Sequence, residues 1–106
     1  MTSPLDKLNS RIFAAQLHTK FKVHFPNPAR VSLELVEVMD RDASPEIELF
    51  SLQFLGPLTP RLEQQIYRLE HETLGEFEVF LTAIGADPGR GIQYECVFHR
   101  FRKAAP

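Results

Sequence analysis

The sequence has no tryptophan and a single cysteine, Cys96, so an internal disulfide is excluded. Its five glycines form neither a phosphate loop nor a dinucleotide fingerprint, and no serine sits in a nucleophile-elbow context. The four histidines, His18, His24, His71 and His99, lack ligand spacing, and with one cysteine there is no zinc signature. Neither a metal nor a cofactor is expected, and an enzyme is not either. A long apolar run is also missing, as is a signal-peptide core, which leaves a reduced, cytoplasmic setting as the expectation. Charge of one sign is absent too. With 12 basic against 14 acidic residues the formal net charge is -2, which supplies no field to gather nucleic acid or anionic lipid. The expected partner is therefore another protein or a second copy of the chain, with no nucleic acid and no membrane.

What is present fits one domain over residues 1–106. Apolar residues make up 43%, and nine phenylalanines without a tryptophan predict a core filled by phenylalanine. Residues 1–18 read as a helical N-terminal segment: Ser3 can cap, Pro4 suits the first helical position, and Leu5, Leu8, Ile12 and Ala15 or Gln16 follow helical spacing. The run Asn9 to Arg11 can split it into two short turns. Residues 20–102 read as an antiparallel β domain. Phe21, Val23 and Phe25 alternate with Lys20, Lys22 and His24, and the prolines of Pro26 to Arg30 end that strand. If Phe25 faces Val31, Lys22 faces Glu34. Val36 and Val38 fall out of phase with Val31, Leu33 and Leu35, which predicts a bulge near Leu35 and Val36. Further strands are expected around Phe50, Leu52 and Phe54, then over Ile66–Glu72, Glu76–Ile84 and Ile92–Phe101. Six consecutive strands with short connections predict a mainly β fold, a six-stranded antiparallel meander forming a small barrel or a sandwich, with the short helix plugging an end or covering an edge.

The segment Tyr67 to Leu81 reads as a hairpin. Pairing Leu69 with Val79 and Tyr67 with Leu81 leaves Thr73, Leu74 and Gly75 as the loop, with glycine where a left-handed residue is needed. That register sets Glu70 against Glu78 and Glu72 against Glu76. Clustered carboxylates can hold calcium or magnesium, but calcium sites usually recruit loop carbonyls and aspartates that a flat ribbon does not supply. A solvated acidic face of Glu70, Glu72, Glu76 and Glu78 is the preferred reading, neutralised from His99, Arg100, Arg102 and Lys103 if Val79 faces Phe98. His71 is expected as a rim histidine. As a catalyst with Glu70 or Glu72 it is poorly placed, since neighbours in a strand point to opposite faces. Cys96 alternates with Tyr94 and Phe98 and is expected to be buried and inert.

The outward apolar set is the more informative one. Phe80, Val97 and Phe101, joined by Ile84 and Ile66, fall on the outer face and need cover. Either the helix lies on them, or the fold is a sandwich, or they form an interaction surface.

In order and spacing, "FSLQFLGP", "YRLEHETLG", "FEVFL" and "YECVFHR" resemble an uncharacterised bacterial family of small proteins, a domain of unknown function. The Leu-Glu-His-x-x-Leu-Gly segment, here Leu69, Glu70, His71, Leu74 and Gly75, is its most specific part. The resemblance covers Phe13 to Arg100. Its members have glycine where this chain has His18, and again where it has Gln65 and Ile66. The resemblance implies no known activity, and an occurrence near genes for phage-tail-like or collar proteins that points to an accessory role in assembly. The leading expectation is a non-enzymatic interaction or structural module; the alternative is a small β-barrel that binds a ligand in its interior.

Overall fold

From Lys20 onward apolar residues recur at every second position, and each such run is a strand. The computed structural model describes residues 8–24, 31–41 and 44–101. Its elements are α1 (Ser10–Ala14), β1 (Lys20–His24), β2 (Val31–Asp40), β3 (Ile47–Gly56), β4 (Gln65–His71), β5 (Gly75–Asp87) and β6 (Gly91–Phe101). All neighbouring strands are antiparallel, and they close into a barrel in the order β1-β2-β3-β6-β5-β4. The barrel form of the two expected architectures is the one adopted. The order departs from a simple meander: β3 pairs with β6, and β4 closes the ring on β1. Two three-stranded meanders are thus joined along two seams. Closure removes the free sheet edges that an open six-stranded sheet would leave.

Parity follows the sequence pattern. Phe21 and Val23, Leu33 and Leu35, Phe50, Leu52 and Phe54, Tyr67 and Leu69, Phe77 and Leu81, and Tyr94 and Cys96 all point inward and are buried. The bulge expected near Leu35 and Val36 is present between Leu35 and Glu37. Register differs from expectation in two places. Lys20, not Lys22, lies opposite Glu34, with their charged ends 3.9 Å apart. In the hairpin, Leu69 faces Phe77 and Tyr67 faces Val79, two residues off the expected pairing, so Glu72, Thr73 and Leu74 form the turn. Both shifts are by two, which keeps every side chain on its face and is invisible to alternation. Phe25 and the Pro26 to Arg30 breaker lie outside the described residues.

The helix is shorter than its pattern. Asn9 caps it by accepting from the Ile12 N–H at 2.9 Å, so the Asn9 to Arg11 run starts the helix. The capping expected at Ser3 and Pro4, and Leu5, lie outside the described residues. Phe13 enters one end of the barrel, with ring centroids 5.7–6.1 Å from Phe50, Phe77 and Phe98. Arg100 fastens this plug. Its guanidinium donates to the Leu8 carbonyl and to Glu48, and lies over the Phe50 and Phe98 rings. At the other end, the hydroxyl of Tyr94 accepts from the Leu62 N–H and that of Tyr67 donates to the Glu63 carbonyl, which ties the Pro57–Gln64 connection down. The segment around Asp87 to Gly91 is a turn, as expected: the Asp87 side chain accepts from the Gly89 N–H.

Candidate functional site

His71 ends β4 and is 5% exposed. Its Nδ1 lies 3.0 Å from the Thr73 N–H and 3.1 Å from the Leu74 N–H. Backbone N–H groups only donate, so Nδ1 carries no proton and Nε2 does. Nε2–H then donates to the Thr19 hydroxyl at 2.8 Å, and that hydroxyl donates to the Gln16 carbonyl at 2.7 Å. Every hydrogen in this relay points one way. With its basic nitrogen occupied by the turn, His71 has no lone pair to offer Thr19, and a base-nucleophile pair is excluded in this arrangement. Burial lowers its pKa below the ordinary histidine value, opposed only by Glu72. His71 is a rim histidine, as expected, and its task is to lock the hairpin turn to the segment before β1.

The cleft beside it, about 520 Å³, is lined by Gln16, Thr19, Lys20, Lys22, Ser32, Glu70, His71, Glu72 and Thr73. Its charges are of both signs, and its histidine is already committed to the relay.

The four glutamates are arranged differently from the expected pairing. Glu70 lies directly opposite Glu76, but Glu78 faces Arg68 and Glu72 sits in the turn. The corrected register therefore replaces one like-charge pair by an ion pair, with Arg68 3.9 Å from Glu78. Glu70 meets His24 of β1 at 2.9 Å. From β6, Arg100 binds Glu48; continuing the Thr82–Glu95 register sets His99 beside Glu78 as expected, but the two form no ion pair among the described residues. Arg102 and Lys103 are outside the described residues. Gly75 has φ of +83°, the left-handed geometry that favours glycine, and it stands at the start of β5.

Cys96 is buried, and its thiol is pushed up to about 12, chiefly by burial. At neutral pH it is an inert thiol, as expected.

The apolar set lies where expected. Ile66 is 64% exposed, Phe80 48%, Ile84 45%, Val97 57% and Phe101 82%. Ile66 and Phe80 are cross-strand partners. Continuing the Thr82–Glu95 register by two residues brings Phe80 beside Val97, and the Phe80 backbone reaches the Cys96 thiol. Val97 faces Ser51, and Ser51 faces Met39. One row, Met39-Ser51-Val97-Phe80-Ile66, thus crosses the exterior of five strands. Ile84 stands apart in the β5 irregularity between Ala83 and Gly85, and Phe101 stands apart beside Ile47. The helix does not cover the row: Leu8 and Phe13 are buried in the core. Met39 and Ser51 were not singled out from the sequence; their strand partners supply the missing signal. The Ser51 hydroxyl is buried and without a hydrogen-bond partner among the described residues.

No helix among the described residues is long and apolar enough to cross a membrane. No curated protein and no solved structure matches the chain. Residues 8–98 match the family described as Domain of unknown function (DUF6916), and the chain belongs to that family.

Proposed function

We propose that the protein is a non-enzymatic interaction module that works in a reduced, cytoplasmic setting, and that the exposed Val97-Phe80-Ile66 part of the row is its contact surface. The observation that carries this reading is the continuity of Val97, Phe80 and Ile66 across β6, β5 and β4, with these large apolar side chains 57%, 48% and 64% exposed. Scattered surface hydrophobes are ordinary, whereas a contiguous row calls for a partner.

The occupant is a second copy of the chain. On one side the row is flanked by Leu49, His99, Glu78 and Arg68, on the other by Glu37, Gln53, Glu95 and Thr82. A two-fold axis laid across β6 and β5 at Val97 and Phe80 superposes the first flank of each copy on the second flank of the other there, so His99 meets Glu95 twice. Self-complementarity of this kind is what an isologous interface requires. An accessory place in a phage-tail-like particle rests on the family resemblance and would draw on the same row.

The alternative, an apolar ligand inside the barrel, is opposed by the filled interior: Phe13, Phe21, Phe50, Leu52, Leu69 and Leu81 are fully buried there. Six strands leave little room beyond their own side chains.

Light scattering across a concentration series tests the proposal. Wild type should dimerise, and Phe80→Ser should remain folded and monomeric. A wild-type chain that stays monomeric at high concentration overturns the self-association.

A further inference from the structure

Barrel closure brings together three residues that the sequence keeps far apart. His24 ends β1, Glu70 lies near the end of β4, and Glu76 near the start of β5. One ligand atom from each lies within 4.8 Å of the other two. From this geometry we infer a divalent-cation site on the barrel exterior, formed by His24 Nε2 and one carboxylate oxygen each of Glu70 and Glu76, and selective for a borderline ion of the zinc type.

The donor set decides the class of ion. One imidazole nitrogen with two carboxylate oxygens suits zinc and its first-row neighbours, while calcium and magnesium prefer oxygen alone and more of it. Zinc with bonds of about 2.0–2.2 Å places its donors roughly 3.3 Å apart, which small side-chain rotations can reach from a 4.8 Å cluster. His24 and Glu70 are already 2.9 Å apart, and both are about half exposed, so no buried group must be uncovered and a fourth position stays open to water.

Strand register holds the donors. Glu70 and Glu76 are direct cross-strand partners, and His24 is paired with Arg68, the residue two before Glu70. Two opposed carboxylates repel each other, and an ion between them turns that repulsion into binding. The competing cation is Lys22, which pairs with Glu70 in register; its exposed side chain can swing into solvent. Arg68 is engaged with Glu78.

The position gives the ion a structural effect. Among the described residues β1 and β4 share Lys22–Glu70, Val23–Leu69 and His24–Arg68, a shorter ladder than the others described. An ion held by His24 from one side of this seam and by the β4–β5 hairpin from the other would staple the β1–β4 seam that closes the ring. Binding should therefore raise thermal stability, because the unfolded chain cannot assemble residues so distant in sequence.

The test is calorimetric titration of zinc chloride into the full chain, with thermal unfolding followed in zinc, magnesium, calcium or EDTA. One saturable zinc site is expected, with a higher Tm in zinc than in EDTA. His24→Ala and Glu76→Gln should each weaken binding at least ten-fold with unchanged circular dichroism, while Glu78→Gln and His99→Ala should bind as wild type. The site is refuted if wild type shows no saturable zinc binding, or if zinc binds His24→Ala undiminished. It is equally refuted if magnesium or calcium raises Tm as much as zinc does.

Discussion

His71 and Thr19 are joined by a 2.8 Å hydrogen bond across 52 residues of sequence, and the direction of that bond is set by the turn on the other side of the ring. Protonating Nδ1 would break both bonds from the Thr73 and Leu74 N–H groups. Burial already holds the folded-state pKa below the unfolded value. The unfolded chain therefore binds the extra proton more readily, and between the two pKa values stability rises with pH. This contribution is complete above about 6.5, the unfolded histidine value, and is lost as pH falls toward the folded pKa.

Urea unfolding at a series of pH values should thus show wild type losing stability below about pH 6.5. His71→Phe keeps the ring against Phe21, whose centroid lies 4.3 Å away, but removes both nitrogens. It should cost about 1–3 kcal/mol at neutral pH and flatten part of the acid slope. An unchanged slope in the variant would place the acid sensitivity elsewhere.

His18 has φ of 69°, in the left-handed region, at the position where the family resemblance has glycine. A side chain there costs about 1–2 kcal/mol, part of which glycine gives back through the entropy of the unfolded chain. The 3.1 Å contact from His18 Nδ1 to Glu34 is exposed and counts for little. His18→Gly is expected to stabilise by roughly 0.5–1 kcal/mol in denaturant titration. A loss of stability would mean that the Glu34 contact outweighs the backbone strain.

Gly91 opens β6 with φ of 138°, and a Cβ built there would lie 2.0 Å from the Gly56 carbonyl oxygen. The obstacle is backbone, so no rotamer change relieves it. Gly91→Ala must move β6 away from β3 along the longest ladder of the barrel. A loss of about 2–4 kcal/mol, or failure to fold, is expected from thermal or chemical unfolding.

These cases also mark where sequence stops informing structure. Which face each residue takes was legible, because alternation in Tyr67-Leu69-His71 or Phe77-Val79-Leu81 has one parity. Register was not: moving Leu69 from Val79 to Phe77 preserves parity, and the choice falls to the turn, where His71 clamps the Thr73 and Leu74 N–H groups. Strand order was not legible either, since nothing local in Phe50 to Phe54 specifies β6 as neighbour rather than β4. The candidate sites divide the same way. Exposed Phe80, Val97 and Ile66 needed only parity to be noticed, their alignment with Met39 and Ser51 needed the strand partners, and the meeting of His24 with Glu70 and Glu76 needed the β1–β4 closure.

Ser51 tests whether the row is built for the free barrel or for a complex. Its hydroxyl is buried between Met39 and Val97 in register and has no partner among the described residues. Removing an unsatisfied buried hydroxyl while leaving its surroundings intact is neutral to stabilising, so Ser51→Ala should raise the stability of the monomer by up to about 1 kcal/mol. A clear destabilisation would show that the hydroxyl finds a partner in solution.

Charge exchange across the proposed two-fold gives the most discriminating prediction. His99 and Glu95 lie on opposite flanks of the row on β6, and in the proposed dimer each faces the other residue of the second copy. Replacing Glu95 by Lys sets a cation against His99 at both ends of the interface, and His99→Glu sets like charges against Glu95. Each single change should weaken dimerisation about five- to ten-fold, in line with roughly 1 kcal/mol for an exposed contact occurring twice. The double variant sets a Lys against a Glu at both contacts and should dimerise nearly as wild type. The cycle is read by sedimentation or light scattering at low salt, where screening is least. A dimer that tolerates both single changes equally well would use another face, and a double variant as weak as the sum of its singles would show that the two residues never meet.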